Sequence, residues 1–256
     1  MAQATHGRFV WYDHLALDAK AAIAFYTHVI GWSTQPIQQG YTMFAGSQGP
    51  MAGTVEMPER MRAQGLPPHW GSNIFVDDVD GAVAEVRFHG GRVLVEPNDF
   101  PNVGRLATIA DPQGATLNLF KPSHPIALHD TAKHGEFTWH ELITTDHELA
   151  FDFYRKLFGW TKSRDFDMGP MGKYLIYGAD GTDLGGMFTR PKDGPAPPHW
   201  LYYIHVDDLD LAITRAKEKG AKLLNGPHEV PGGARVAQLD DPQGGGFALH
   251  ESAKKG

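Results

Sequence analysis

From Phe9 onward the chain alternates, with Phe9, Trp11, Asp13, Leu15 and Leu17 on one side of an extended segment, the period of a β-strand. Asp18 stands where a helix wants its N-cap, because a carboxylate there accepts a bond from an otherwise unpaired backbone N–H. The segment "AKAAIAFYTHVI" then spaces Ile23, Tyr26 and Ile30 along one helical face, and Gly31 supplies the left-handed residue that ends such a helix. "HWGSNIFVDDVDGAVAEVRFHGG" predicts a strand, an Asp-rich cap and a second helix ending at Gly90-Gly91. Short strand-like runs follow, "GRVLVEP", "RLATIAD" and "ATLNLF", set apart by Gly, Pro and Asn turns. Each half of this stretch reads β-α-β-β-β.

The whole pattern then recurs. Trp11 matches Trp139, Phe25-Tyr26 matches Phe153-Tyr154 and Gly31-Trp32 matches Gly159-Trp160, at a spacing of 128. "PHW", "VDD" and "DPQG" recur at 130. A unit of this length predicts a tandem domain duplication and not a solenoid of short repeats. The expected organisation is a domain over residues 7–121, a proline-containing linker over 122–134 and a second domain over 135–252.

Composition narrows the function classes. The chain has 256 residues with 23 basic and 30 acidic side chains, a net charge of −7, and no Lys/Arg run to follow a phosphate backbone. Nucleic acid is therefore not an expected partner. No apolar run of membrane-spanning length and no leader-like start occurs, so a soluble, cytoplasmic protein is expected. With no cysteine, any metal must be held by His, Asp, Glu or another N/O donor.

The paired β-α-β-β-β modules, the helix pattern "D-x6-F-Y-x4-G-W", "VDD" before the second helix and "DPQG" before the last strand resemble the vicinal oxygen chelate superfamily. That group includes glyoxalase I, extradiol dioxygenases, fosfomycin-resistance enzymes and bleomycin-resistance proteins. Within it, the doubled architecture and the "W-x-[DE]-L" opening look most like the two-domain, 27-kilodalton-antigen type. The resemblance implies an α+β fold of two tandem domains, each a curved, cup-shaped sheet with its site inside. It also implies where metal ligands would stand. The first-strand position, seven residues before the capping Asp, is Trp11 or Trp139; the next is Gly71 or Leu201, the third lies near Glu56 or Thr189, and the closing-strand position is Asn118 or Ala248. Trp, Gly, Leu and Ala side chains offer a cation nothing.

The residue types leave several roles open. Trp11 and Trp139 suit either core packing or an aromatic wall for a planar ligand. Asp13 and Glu141 share their face and are candidates for a general base or for a paired structural carboxylate. Asn118 and Tyr203 would join a ligand surface, and Arg105 and Arg235, six residues before "DPQG", suit either a ligand anion or a nearby Asp. His69, His199 and His205 are candidates for a displaced metal site, with Glu141 as a third donor, against a bracing role at the strand entry. "DPQG" itself reads as a turn, and the Phe-Tyr pairs of the helices as packing.

The expectation is a protein that binds a small organic molecule without the usual superfamily metal site, in the second repeat if only one is active. No cofactor is expected on this reading. The alternative is a glyoxalase-like lyase, isomerase or dioxygenase using a divalent metal on displaced ligands. A third reading treats the cups as filled cores of a scaffold. Either a monomer or a homodimer is compatible with the doubled chain.

Overall fold

A computed structural model describes residues 2–37, 40–191 and 196–253. In the first repeat the strands are β1 (Phe9–Ala16), β2 (Ser33–Pro36), β3 (Thr42–Gly46), β4 (Gly49–Glu56), β5 (His69–Phe75), β6 (Arg92–Phe100), β7 (Gly104–Ala110) and β8 (Thr116–Pro122). Its helices are α1 (Ala19–Ile30), α2 (Glu59–Ala63) and α3 (Val79–Phe88). The second repeat supplies β9 (Phe137–Thr144), β10 (Thr161–Asp167), β11 (Lys173–Ala179), β12 (Thr182–Thr189), β13 (His199–His205), β14 (Lys222–Glu229), β15 (Arg235–Asp240) and β16 (Gly246–Glu251), with helices α4 (His147–Phe158) and α5 (Leu209–Glu218). Each repeat forms an eight-stranded mixed sheet of the same order, β2-β3-β4-β1-β5-β8-β7-β6 and β10-β11-β12-β9-β13-β16-β15-β14. The α+β fold of two tandem domains is thus the observed one.

The caps read from the sequence are in place. The Asp18 side chain accepts from Ala21 N–H, and Gly31 closes α1 in the left-handed region at φ 84°. Asp146 and Gly159 do the same for α4. Helix α2 is short and was not marked by any periodic pattern; none of its residues is buried. Among the described residues no helix is long and apolar enough to cross a membrane.

Packing cuts across the repeats. The chain forms two compact units, one from Met1–Trp11, Gly71–Leu128 and Trp139–Trp200, the other from Tyr12–Trp70, His129–Thr138 and Leu201–Gly256. Each therefore combines half of one repeat with half of the other. The "DPQG" turns do part of this joining. In the first unit the Gln113 carboxamide accepts from Asp146 N–H at 2.6 Å and donates to Asp146 C=O at 2.7 Å, clasping the start of α4. In the second, Gln243 makes the same pair of bonds to Asp18 at the start of α1.

The aspartates of these turns are more than turn residues. Asp111 Oδ1 accepts from the backbone N–H groups of Gln113, Gly114 and Ala115, while Oδ2 accepts from the Tyr154 hydroxyl at 3.0 Å. Asp241 is bonded in the same way, with Tyr26 as its hydroxyl donor at 3.0 Å. Trp70 and Trp200 in turn donate their indole N–H to these tyrosines. The helix tyrosines, expected to serve packing alone, carry a buried polar chain as well. A buried carboxylate needs such partners, since leaving it unpaired costs on the order of 1–3 kcal/mol or more. Burial still pushes the Asp111 carboxyl up, whereas at Asp241 the same burial is outweighed by His14, which holds it below the usual range.

Candidate functional site

Strand β1 buries the face opposite to the one marked by alternation: Tyr12, His14 and Ala16 are at most 6% exposed. Trp11, Asp13 and Leu15 are left half-buried. Trp11 and Asp13 thus stay partly accessible, and each repeat builds a polar group around its acid.

In the second compact unit the Tyr41 hydroxyl donates to Asp13 Oδ1 at 2.5 Å. In the first, the Tyr174 hydroxyl donates to Glu141 Oε1 at 2.8 Å and accepts from Trp139 Nε1 at 2.8 Å. Both tyrosines lie flat over a glycine of the next strand. A Cβ at Gly53 would run into the Tyr41 ring and one at Gly186 into the Tyr174 ring, so each glycine is what lets its tyrosine reach the acid. Tyr41 and Tyr174, like Gly53 and Gly186, stand 133 residues apart. That spacing was visible in "GYTMF" and "GKYLI", but neither tyrosine was singled out from the sequence.

The neighbouring strands differ between repeats. In the first unit Asn73 of β5 is in register with Asn118 of β8, which pairs with Thr108 of β7, and Thr108 Oγ1 donates to Asn118 Oδ1 at 2.8 Å. In the second unit the matching row is Tyr203, Ala248 and Gln238, with Gln238 Nε2 donating to the Tyr203 hydroxyl at 2.9 Å. Glu141 is only 6% exposed and Tyr203 only 4% exposed, while Asp13, Tyr41 and Asn118 are all half-buried. The first repeat thus leaves its acid and tyrosine more accessible than the second does. The second repeat is the more aromatic: the Tyr174 and Phe188 rings lie 6.0 Å apart and within 23° of coplanar, where the first repeat has Val55 at the position matching Phe188.

Arg105 and Arg235, candidates for a ligand anion, spend their forks inside the chain instead. Arg105 grips Asp80 through Nε and Nη2 and reaches Asp99 through Nη1, and Arg235 grips Asp210 and reaches Glu251. Bidentate matching of guanidinium to a carboxylate at the start of α3 or α5 explains the choice.

The histidines are dispersed. His69 and His199 each bond through Nδ1 to the carbonyl two residues before, of Pro67 and Pro197, at 2.8 Å. His199 and Glu141 fall in one compact unit and His205 in the other. Among the described residues no group of three His, Asp or Glu is placed to hold a metal ion. At the positions where the superfamily carries its ligands, Trp, Gly, Leu and Ala side chains have no suitable donor atom; Glu56 has one but is exposed, and in the other unit Asn118 and Thr189 offer only neutral oxygens, each already bonded, to Thr108 and His147. These residues do not fit the usual metal.

Known proteins agree with this architecture. The model of the Glyoxalase/Bleomycin resistance protein/Dioxygenase superfamily matches residues 9–119 and again 136–249. The chain is 33% identical to CFP32 of Mycobacterium bovis over 248 residues, covering 95% of this chain and 94% of that protein. It is 30% identical to the anthracycline biosynthesis protein DauV of Streptomyces sp. (strain C5) over 267 residues, covering 98% and 95%. In fold it is similar to a Mn(II)-bound glyoxalase from Novosphingobium aromaticivorans, with a TM-score of 0.70 at 16% identity over 99% of this chain and 84% of that one. The doubled match, on the same two stretches that the sequence repeat delimits, makes this chain a member of the Glyoxalase/Bleomycin resistance protein/Dioxygenase superfamily.

Proposed function

We propose that the protein binds a small, planar, hydroxyl-bearing organic molecule at its tryptophan–acid–tyrosine groups, without the metal usual in its superfamily. The observation that carries this reading is the twice-built Tyr–carboxylate pair, Tyr41–Asp13 and Tyr174–Glu141, each cleared by a glycine. A carboxylate held by a tyrosine hydroxyl presents acceptor oxygens side by side, which suits a phenolic or enolic hydroxyl donating from the ligand. The adjacent Trp139 indole, with Tyr174 and Phe188, offers flat apolar area for the ring system. That one relative is named as an anthracycline biosynthesis protein fits a polycyclic aromatic ligand. No metal-dependent step is needed for such binding.

A thermal-shift titration of the full chain with a dihydroxyanthraquinone tests this. The expected result is a concentration-dependent rise in Tm that is reduced in both Asp13→Asn and Glu141→Gln. A rise that survives in both variants, or no rise at all, contradicts the reading.

A further inference from the structure

Two histidines of the second repeat stand where the first repeat has two phenylalanines. His205 of β13 and His250 of β16 are register partners in a parallel strand pair, as Phe75 and Phe120 are in β5 and β8. Register partners on adjacent strands project to the same side, so the two imidazoles are neighbours; their ring centroids are 5.7 Å apart. His205 is 5% exposed and lies in the same compact unit as His250. Among the described residues neither Nδ1 atom has a partner at full hydrogen-bond geometry although both are buried, and the backbone of Lys133 is the polar group that approaches His205. Buried polar atoms are nearly always satisfied, so a matched pair of open ring nitrogens asks for an occupant.

The remaining geometry is compatible with a chelate. His205 Nε2 lies 3.1 Å from Ser252 Oγ. With that nitrogen carrying the proton and donating to the serine, the Nδ1 lone pair is left open, the arrangement by which an outer partner orients a metal-ligating imidazole. Burial lowers the affinity of both rings for a proton, holding the His250 imidazole at about 4 and the His205 imidazole below its ordinary value, so both are neutral ligands near pH 7. A metal–nitrogen bond of about 2.1 Å puts each ring centroid roughly 3.2 Å from the ion, and two such arms span about 5 to 6 Å. The observed separation of 5.7 Å falls inside that span.

We infer that His205 and His250 form a two-imidazole site for a borderline divalent cation such as Cu²⁺, Ni²⁺ or Zn²⁺, its other positions taken by solvent or a small ligand. The site is displaced from the superfamily's usual ligand positions, Leu201 and Ala248, by four and two residues along the same strand faces. It is also different from the His199, His205 and Glu141 set suggested by sequence. With two protein nitrogens as its fixed donors, affinity should follow the general order for nitrogen sites, with Cu²⁺ above Ni²⁺ and Zn²⁺.

The test is calorimetric titration of the full, chelator-stripped chain with each of the three metal ions, with electron paramagnetic resonance of the Cu²⁺ form to count coordinated nitrogens. We expect one ion per chain with two nitrogens in the copper spectrum. His205→Phe and His250→Phe should each weaken binding about ten-fold or more, and the double variant should abolish it. Because phenylalanine is what the first repeat carries at both positions, the double variant should keep the wild-type circular dichroism. His69→Gln and His199→Gln should bind as the wild type does. Failure of the wild type to take up an ion, or stoichiometric uptake by the double variant, overturns the proposal.

Discussion

His14 Nε2 lies 3.1 Å from Asp241 Oδ2 in the interior of one compact unit, and the other unit has Leu142 where that histidine stands. The difference is matched one turn away. Gly245 faces the pair, and a Cβ there would come within 2.8 Å of Asp241 Oδ2 and 3.1 Å of His14 Nε2; the corresponding residue beside Asp111 is Ala115. Histidine with glycine and leucine with alanine are thus alternative packings of one location. We expect His14→Leu to cost about 1–3 kcal/mol, because Asp241 keeps Tyr26 and its turn N–H groups but loses its imidazole partner. Gly245→Ala should also destabilise the wild type, yet do so by less in the His14→Leu background. A double-mutant cycle from denaturant melts checks this, and strict additivity would contradict it.

The same pair sets a pH dependence. The Asp241 carboxyl is depressed in the folded chain by His14 against the opposing effect of burial. Its contribution to stability is therefore fully present above the unfolded carboxyl range and is lost as pH falls through the lower folded value. The stability gap between wild type and His14→Leu should narrow on acidification from neutral pH, as read by Tm at a series of pH values. A gap that widens toward acid would show that the His14–Asp241 contact is not what separates them.

Gln113 should matter more than its twin. Its carboxamide is half-buried and bonds Asp146 N–H, Asp146 C=O and the Thr144 hydroxyl, whereas the bonds of Gln243 to Asp18 are exposed. Gln113→Ala is expected to cost about 1–3 kcal/mol and Gln243→Ala less, since water can replace the latter. Equal losses in chemical denaturation would argue against this account of how α4 is held.

Gly186→Val should displace the Tyr174 ring and break its bonds to Glu141 and Trp139 together. The expected readout is about ten-fold or more weaker binding of a dihydroxyanthraquinone, in line with the loss of one or two hydrogen bonds. By contrast, Arg105→Gln and Arg235→Gln should leave that affinity unchanged, because both guanidinium groups are engaged with Asp80 and Asp210. An affinity that follows the arginines and ignores Gly186 would move the site elsewhere.

The elements were legible because their signals are local. Asp18, Gly31, Asp146 and Gly159 punctuate the helices by short-range bonding and backbone freedom, and the doubled motifs exposed the duplication. Which halves pack together was not legible, since periodicity says that a face is apolar but not which face it will meet. Within one compact unit the two repeats are tied by single side chains such as Gln113 and Tyr154, whose partners lie 33 and 43 residues away in the other repeat. The site was half legible for a similar reason. Trp11, Asp13, Trp139 and Glu141 sit on one strand each and repeat visibly, but the tyrosines that bind the acids come from neighbouring strands, where register decides who meets whom. The His205–His250 pairing depends on register in the same way, and comparison with Phe75 and Phe120 is what reveals it.

The most direct test of ligand binding at these groups is isothermal titration of the full chain and of Trp139→Ala with a dihydroxyanthraquinone. The account predicts saturable binding to the wild type and an affinity lower by about ten-fold or more in the variant, for the lost stacking surface and the lost indole bond to Tyr174. No saturable heat with the wild type, or the same affinity with Trp139 removed, would contradict it.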